Sequence, residues 1–333
     1  MRMEDYIGQE GQIRGVEEHR LIGGRGDGMR LFEVRNGLGL AFTVSADRCA
    51  DISRLSFKGD NYGYFAPCGY VAPAYYDDQG EGFLKSFTAG FLTTCGLTAV
   101  GAPCTDMGEA LPLHGSIGNT PAERMSWEME EGQIRLRAVI RDGRLFARKL
   151  ALTRQIVCST ERNAFSIEDT VENQGDQSSP LMLLYHMNLG YPLLSEQLQL
   201  HIPAQRVLAR NAHAAEDLAR WDQMLPPTAG FEEQCYYHQF DGEQGLAAAY
   251  NPALGKGLAI RFPTECLDHF TQWKMMGVRD YVLGLEPGNC HPDGRDKMRA
   301  QGKLKTLAPG QRRRFTVQVE MIEGESQWEQ IHR

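Results

Sequence analysis

The chain is predicted to be an all-β protein, a large antiparallel β-sandwich with few short helices. Three observations indicate this class: many short segments alternate apolar and polar residues, turn residues bound these segments, and only one stretch has a helical composition. No repeat at a fixed period and no low-complexity linker divides the 333 residues. We therefore expect a single domain over residues 1–333, in which residues 1–28 form an N-terminal lead-in segment.

Two hairpins are the clearest part of the pattern. The segments RLFEVRNG and LGLAFTVSAD lie on either side of Asn36-Gly37, a dipeptide typical of tight hairpin turns. In QIRLRAVIRDG, residues 133–143, apolar and polar side chains alternate, and Asp142-Gly143 is predicted as the turn into RLFARKLALTRQIVCS. Further strands are predicted at AFSIEDTVENQG, LMLLYHMN, QLQLHIP, GLAAAYN, GLAIRF, YVLGLEP and RFTVQVEMI.

One helix is predicted, over NAHAAEDLARWDQML, residues 211–225. Its content of Ala, Leu and Glu favours a helix, and the following PPTAG ends it.

Composition argues against several classes of protein. The formal charge of −8 and the pI near 5.7 disfavour non-specific binding to nucleic acid, which needs a basic surface. The first twenty residues are polar and have no apolar signal region, and the long uncharged segment 86–104 is too rich in threonine and glycine to span a bilayer. We expect a cytoplasmic protein with no nucleic-acid or membrane partner, whose sandwich edges allow a homo-oligomer.

The eight cysteines form no CxxC pair and have no zinc-like spacing with histidine. We expect reduced thiols in the core and no metal site.

Three stretches place titratable residues where a β-core would prefer none. They are LPLHGSIGNTPAE with His114, LLYHMNLGYPLL with His186, and YVLGLEPGNCHPDGR with Glu286. Each follows a hydrophobic run and enters a turn that contains Gly or Pro, and strand ends are where rigid sheets present functional groups. Taken singly, each has a structural interpretation, either a satisfied core histidine or a solvated loop acid.

Taken together, these motifs resemble those of the aldose 1-epimerase (galactose mutarotase) superfamily, in particular its bacterial aldose-1-epimerase-like branch. The resemblance runs from ADRCADISRLSFKGDNYGY through LPLHGSIGNTPAE and YHMNLGYP to LGLEPGNCHPDGR. It implies a galactose mutarotase-like β-supersandwich with its site in a concave cleft. It also implies a small-molecule sugar substrate and an interconversion of anomers by ring opening that needs no cofactor.

The resemblance implies a role for four residues. His186 of YHMNLGYP matches the general acid of the family, and Glu286 of LGLEPGN matches its general base. His114 of LPLHGS matches a histidine that hydrogen-bonds the substrate, and Arg48 of DRCAD matches a sugar-contacting arginine.

The chain departs from the family at one recognition position. Where many mutarotases carry an aspartate, the segment CYYHQF places Tyr237. The segment FTQWKMMG offers candidate replacements as substrate-binding residues: Gln272, Trp273 and Lys274. Aromatic residues that could stack on the apolar face of a sugar are Tyr236, Tyr237 and Trp273. Each aromatic residue has an equally good interpretation as packing, and Asp293 of HPDGR is predicted to cap the turn at Gly294.

Three alternative functions stay open at this stage. A non-catalytic sugar-binding or sensing protein would keep the cleft without turnover. A polysaccharide lyase would use Tyr237 or Lys274 as its base, whereas a glycoside hydrolase would need paired carboxylates. Because few basic residues lie near the motifs, we expect a neutral free sugar rather than a phosphorylated one.

Overall fold

The structure is a computed structural model that describes residues 3–332. Its strands are, in chain order, β1 Gly15–Arg20, β2 Arg30–Arg35, β3 Leu40–Ser45, β4 Asp51–Phe57, β5 Asp60–Asn61, β6 Tyr64–Phe65, β7 Ala89–Gly90, β8 Leu92–Leu97, β9 Cys104–Asp106, β10 Glu109–Leu111, β11 Arg124–Glu130, β12 Gln133–Gly143, β13 Lys149–Ser159, β14 Ala164–Asn173, β15 Ser179–Pro180, β16 Met182–Leu189, β17 Gln199–His201, β18 Arg206–Ala209, β19 Gln234–Gln239, β20 Gln244–Asn251, β21 Lys256–Pro263, β22 His269–Met276, β23 Tyr281–Gly288, β24 Thr306–Leu307 and β25 Arg312–Glu323.

The helices are short: α1 Ala212–Glu216, α2 Arg295–Ala300 and α3 Glu325–Ile331. Single 3-10 turns lie at Met3–Tyr6, Glu10–Gln12, Gly24–Gly26, Pro73–Tyr75, Gly82–Lys85, Ile117–Asn119 and Leu218–Arg220. No helix within residues 3–332 is long and apolar enough to cross a bilayer.

The predicted helix over residues 211–225 is wrong in its extent. The side chain of Asn211 caps α1 by accepting the amide of Ala214 at 2.8 Å. The helix stops after five residues, and the carboxylate of Asp217 accepts from Gln234 on β19 at 2.8 Å. This tertiary hydrogen bond holds Asp217 at the point where the helix ends, although local composition favours a longer helix. Helices α2 and α3 were not predicted.

The predicted fold class is confirmed, because antiparallel sheets account for most of the ordered structure. One sheet of eight strands has the order β11-β12-β13-β14-β25-β21-β20-β17, and one of six has the order β18-β19-β22-β23-β16-β8. A third sheet has the order β1-β2-β3-β4-β5, and three two-stranded ribbons complete the set. Strand β1 lies in the stretch that was predicted as a lead-in segment, and it pairs with β2 along its whole length.

The predicted hairpins differ in how well their turns were located. Strands β2 and β3 pair on either side of the predicted Asn36-Gly37 turn, as expected. The β12–β13 ladder continues through the predicted Asp142-Gly143 turn to the pair Gly143 and Lys149, so that the turn is formed by residues 144–148. Extra ladder bonds and the burial of Asp142 extend the strand past its local turn signal.

The main core lies between the eight-stranded and the six-stranded sheets. On β16 the side chains of Leu183, Tyr185 and Met187 belong to this core. Successive side chains of a strand point to opposite faces, so His186 and Asn188 project from the other face of the same sheet. Both faces of β16 are buried, which explains why its sequence is a nearly continuous apolar run.

A buried ionic network joins the sheets directly behind His186. The guanidinium of Arg154 on β13 donates to Asp51 at 2.6 Å and to both oxygens of Asp169, at 2.9 and 2.7 Å. Tyr185 donates its hydroxyl to Asp169 at 2.8 Å, and Thr94 on β8 accepts from Arg154 at 2.8 Å. Removal of one member of such a network leaves a buried charge uncompensated, which costs about 3–5 kcal/mol.

All eight cysteines lie within the described residues and are free thiols. Five are buried and three are partly buried. Burial raises the pKa of the Cys158 and Cys290 thiols to about 12, so both are packing groups rather than nucleophiles.

Candidate active site

His186 and Glu286 lie side by side on adjacent strands of the six-stranded sheet. The β16–β23 ladder pairs Met187 with Leu285, and one step along the same register sets His186 opposite Glu286. Their side chains project from the face opposite the main core, and Nε2 of His186 is 3.3 Å from Oε1 of Glu286. The two residues, a hundred positions apart in the sequence, therefore meet at one point.

Neighbouring strands extend this pair into a row of polar side chains. Thr271 on β22 is opposite Glu286, and Tyr237 on β19 is opposite Thr271. On the other side of the pair, Thr93 on β8 is opposite His186. Five strands thus bring five polar side chains into register on one face of the sheet.

Gly284 makes room for the Glu286 carboxylate. A Cβ atom at position 284 would lie 2.3 Å from Oε1 of Glu286 and 3.0 Å from the Cβ of Trp273. Because side chains two residues apart share a strand face, any larger residue at 284 would occupy the space into which the carboxylate folds.

Aromatic rings enclose the imidazole of His186. Its ring centroid is 5.2 Å from Phe87, 5.3 Å from Trp273 and 5.5 Å from His114. Phe83 packs on His114 at 5.2 Å. The two predicted histidines therefore share one pocket, whose walls are largely apolar.

The backbone presents His114 in an uncommon conformation. Its φ angle is +58°, a left-handed value that a non-glycine residue adopts at a cost. Its amide donates to Gly101 at 2.9 Å, and its carbonyl accepts from Gly96 at 3.1 Å. The next residue, Gly115, passes so close to β8 that a Cβ there would lie 2.3 Å from the carbonyl oxygen of Gly96. Close packing of two backbone segments thus fixes the orientation of His114.

Burial shifts the acid–base properties of all three groups. It lowers the pKa of His186 to about 4, and it lowers that of His114 well below the usual histidine value. Burial raises the pKa of Glu286 well above its usual value; the nearby charge of Glu233 raises it further, and Arg210 acts in the opposite direction. A low-dielectric pocket disfavours each charged form, so the resting site holds neutral imidazoles and a carboxyl group that retains its proton.

Several buried polar atoms of this pocket have no hydrogen-bond partner within residues 3–332. They are Nδ1 of His114 and of His186, Oε1 of Glu286, Oγ1 of Thr271 and Oδ1 of Asn188. Buried polar groups are nearly always paired in proteins, so such a concentration indicates a place where a polar ligand completes the bonding.

Arg48 has a different environment from the one expected of a sugar-contacting arginine. Its buried guanidinium donates to three main-chain carbonyls, those of Gly118 at 2.6 Å, Val71 at 3.0 Å and Ser86 at 2.8 Å. Val71 and Ser86 are the two ends of the loop that carries Phe83. The geometry favours Arg48 as a clamp on this loop, and its contact with substrate stays a prediction.

Of the remaining predicted residues, Tyr237 and Trp273 face the pocket and Lys274 does not. Trp273 contacts His186, so the adjacent Lys274 projects from the opposite face of β22, on the side of the core residue Phe270. There its Nζ donates to the carbonyl of Arg220 at 3.2 Å. Strand β22 was not among the predicted strands, and without it the faces of these two residues could not be assigned.

Three charged residues beside the pocket were not predicted as site residues. Arg210 follows β18, and its Nε is 3.4 Å from Oδ1 of Asp293. Asp293 lies in the loop after β23 and accepts the hydroxyl of Tyr237 on β19 at 2.7 Å, a tertiary contact in place of the predicted turn-capping role. Glu233 accepts the indole N–H of Trp273 at 2.7 Å. Their local sequences, LARNAHA and FEEQCYY, carry no motif, although the position of Asp293 in HPDGR was a usable signal.

Known proteins of similar structure share this architecture. A candidate aldose 1-epimerase from Klebsiella pneumoniae is 27% identical, with a TM-score of 0.89 over 95% of this chain and 85% of that one. A galactose 1-epimerase from Lactobacillus acidophilus is 14% identical, with a TM-score of 0.65 over 94% of this chain and 100% of that one. A galactose mutarotase-like protein from Clostridium acetobutylicum is 12% identical, with a TM-score of 0.66 over 94% and 99% of the two chains.

The last two similarities are too distant in sequence to show more than the fold. No functionally curated protein matches the sequence. One family of sequences does match, over residues 26–321, which is most of the chain. The protein has the galactose mutarotase-like fold, and it belongs to the family described as a domain of unknown function, DUF4432.

Proposed function

We propose that the protein is a cofactor-independent aldose 1-epimerase, with His186 as general acid and Glu286 as general base. One observation carries the proposal: the 3.3 Å approach of Nε2 of His186 to Oε1 of Glu286 in a buried pocket. The two oxygens that exchange protons in anomer interconversion are bonded to the same anomeric carbon. An acid and a base that serve both oxygens must therefore lie next to each other.

The reaction is balanced without any further reagent. Glu286 takes the proton of the anomeric hydroxyl, the carbonyl double bond forms, and the bond between the anomeric carbon and the ring oxygen breaks. His186 gives its proton to the ring oxygen. After rotation about the adjacent C–C bond, the same steps in reverse close the ring on the other face. Each proton transfer of this kind contributes typically about 10²–10⁴-fold to the rate.

His186 and Glu286 share one proton, and its position determines which of the two residues is charged. In the resting pocket burial favours the proton on Glu286, because the neutral carboxyl and the neutral imidazole avoid two buried charges. Transfer of that proton to His186 gives an imidazolium next to a carboxylate, and their attraction offsets part of the cost of burying them. Hydroxyl donors of a bound sugar stabilise the carboxylate further, so substrate binding favours the state in which His186 is the acid.

The alternative functions receive less support. A lyase would use Tyr237 or Lys274 as its base, but Lys274 projects away from the pocket. Burial and the nearby carboxylate of Asp293, which accepts the hydroxyl of Tyr237 at 2.7 Å, raise the pKa of Tyr237 well above its usual value and make it a poor base at neutral pH. A hydrolase would need a second carboxylate across a sugar ring from Glu286. A sugar-binding protein without turnover would have no use for an acid and a base in contact, which favours the enzyme over the sensor.

Anomer exchange of free sugars tests the proposal directly. Saturation-transfer NMR or polarimetry would follow the exchange of glucose, galactose and a panel of other aldoses at neutral pH, with and without the protein. We expect catalysis by the wild type, and a loss of about 10²-fold or more for Glu286→Gln and for His186→Asn. Glu320→Gln, the same change at an exposed position of β25, serves as the control. Equal exchange rates in wild type and Glu286→Gln would refute the assignment.

A further inference from the structure

Arg210 and Asp293 form a charged pair at the edge of the proposed site. Nε of Arg210 is 3.4 Å from Oδ1 of Asp293, and its Nη2 donates to the carbonyl of Pro292 at 3.3 Å. Its Nη1 is 3.8 Å from Sγ of Cys235, which is paired in register with Trp273. The guanidinium is therefore fixed against the same strand face that carries the aromatic wall of the pocket.

Asp293 connects this pair to the polar row of the site. Its Oδ1 accepts the hydroxyl of Tyr237 at 2.7 Å, and the ring of Tyr237 stacks on His291 at 3.8 Å. Tyr237 is opposite Thr271, which in turn is opposite Glu286. The carboxylate of Asp293 thus reaches the row from a loop, two side chains away from the proposed base.

The pair is more accessible than the groups it borders. The side chains of Arg210 and Asp293 are 27% and 19% exposed, whereas those of His186 and Glu286 are 6% and 2% exposed. The charge of Arg210 also influences the pKa of both His114 and Glu286. Arg210 and Asp293 can therefore contact parts of a ligand that extend away from the buried pair.

Negative charge outweighs positive charge around this edge. The carboxylates of Glu233 and Asp293 lie here with Arg210, and Asp293 already neutralises that guanidinium, whereas Glu286 keeps its proton in the resting site. Arg295, which ends the motif LGLEPGNCHPDGR, pairs with Asp106 at 2.6 Å and with Glu109 at 2.7 Å. A carboxylate or phosphate on a ligand would thus meet like charges, and burying it without a counterion is costly.

We propose that the Arg210–Asp293 pair determines substrate selectivity, by hydrogen-bonding the hydroxyl groups of a neutral sugar and excluding acidic or phosphorylated sugars. The guanidinium donates to hydroxyl oxygens, and the carboxylate accepts from hydroxyl groups, so the two together match vicinal hydroxyls. This inference rests on the proposed function, and it adds the class of substrate.

Removal of the negative charge of Asp293 tests the proposal, because it should increase activity towards acidic sugars. Asp293→Asn keeps an oxygen that can accept from Tyr237 but leaves the charge of Arg210 uncompensated. Anomer exchange would be measured for glucose, glucuronic acid and glucose 6-phosphate. In the wild type we expect glucose to be preferred. In Asp293→Asn we expect the ratio of acidic-sugar to glucose activity to rise by roughly tenfold or more, because the freed guanidinium pairs with the anion.

A second variant separates charge from structural damage. The double variant Asp293→Asn with Arg210→Gln should lose the gain, and Asp293→Asn with Arg210→Lys should keep part of it. Asp60→Asn, the same change in the five-stranded sheet where Asp60 pairs with Lys256, should leave the ratio unchanged. Melting temperatures of all variants would show that the fold survives. A wild type that prefers acidic sugars, or an Asp293→Asn ratio equal to that of the wild type, would overturn the proposal.

Binding distinguishes failure of this inference from failure of the proposed function. If the wild type exchanges no sugar, the epimerase proposal fails, and saturation-transfer difference NMR would compare binding of the same three sugars. Preference for glucose in the wild type and for acidic sugars in Asp293→Asn would still support the selectivity pair. Equal or absent binding of all three sugars to both proteins would overturn it.

Discussion

His186 and Glu286 face each other across adjacent antiparallel strands, with 3.3 Å between Nε2 and Oε1. Within residues 3–332 neither group forms a second ion pair, and both are buried, with aromatic rings against the imidazole. This arrangement suits a reaction in which one oxygen of a carbon loses a proton and another oxygen of the same carbon gains one.

The two residues should act as one unit. Because each proton transfer needs both partners, Glu286→Gln and His186→Asn should each lower kcat/KM by about 10²–10⁴-fold, and the double variant should lose little more than the worse single variant. Anomer-exchange kinetics on the four proteins complete the cycle. Additive losses would mean that the two groups contribute independently, contrary to the shared-proton mechanism.

The pH profile of kcat/KM should be a broad bell. Activity needs one proton on the pair. At low pH the pair takes up a second proton: His186, whose pKa is about 4, becomes charged while Glu286 is still neutral. At high pH the pair loses its only proton, through a Glu286 pKa that burial raises above its usual value. The two limbs belong to the coupled pair rather than to single residues. Exchange rates from pH 3.5 to 9 check this, and an acid limb near pH 6.5 would contradict a desolvated His186.

Gly284→Ala should reduce catalysis more than stability. The new methyl group would lie 2.3 Å from Oε1 of Glu286, so the carboxylate must move. A displacement of about 1 Å can cost roughly 10²-fold in rate, whereas overpacking typically costs about 1–3 kcal/mol. Kinetics and thermal melts would separate the two effects. Gly143→Ala is the control, because a Cβ at that strand end meets no atom within 4 Å; unchanged kinetics in Gly284→Ala would show that the carboxylate has room elsewhere.

Arg48 should act through the loop of residues 71–86. Arg48→Met removes the guanidinium from three carbonyls, of which that of Ser86 keeps the amide of Thr88 as a donor, and we expect a loss of about 3 kcal/mol in unfolding free energy. Hydrogen exchange should increase in the loop, and activity should fall because Phe83 and Phe87 no longer hold the two histidines. A different result would favour a direct contact between Arg48 and the sugar. In that case Arg48→Met would have a raised KM, while its melting temperature and the hydrogen exchange of its loop would equal those of the wild type.

Acid should destabilise the protein through buried neutral histidines. Nε2 of His238 donates to the amide oxygen of Gln272 at 3.0 Å, and burial lowers the pKa of His238 to about 4. The unfolded chain binds a proton at this residue below about pH 6.5, so unfolding takes up a proton between pH 6.5 and 4. Stability therefore decreases as pH falls through this window, by about 1.4 kcal/mol per pH unit for each such residue.

Urea unfolding of His238→Gln at several pH values measures this contribution. The variant should show a shallower loss of stability towards pH 4 than the wild type does. His19→Gln, at an exposed position on β1, controls for the loss of an imidazole. If the unfolding free energies of wild type and His238→Gln decrease in parallel with pH, His238 does not contribute to the acid destabilisation.

Local sequence patterns predicted the all-β class, because the alternation of apolar and polar residues along a strand follows directly from its two faces, one buried and one exposed. The β2–β3 hairpin followed from its Asn-Gly turn, and the strand that carries His186 followed from its apolar run. The positions of β19 and β22 were missed, since Tyr237 and Trp273 lie in segments where large polar and aromatic residues break the alternation. The roles of His186, Glu286 and His114 came from the resemblance of motifs, and no local pattern supplies them.

What the sequence alone determined is therefore the class of fold and a short set of candidate residues. The contact between His186 and Glu286 depends on the pairing of β16 with β23, and sheet register is set by packing between residues far apart in the chain. The pairing of β22 with β23 decided that Trp273 faces the pocket and Lys274 the core side, and the tertiary fold brought Arg210, which follows β18, to Asp293 in the loop after β23. Shifted pKa values also arose only on folding, because desolvation depends on what surrounds a group in space rather than on its neighbours in sequence.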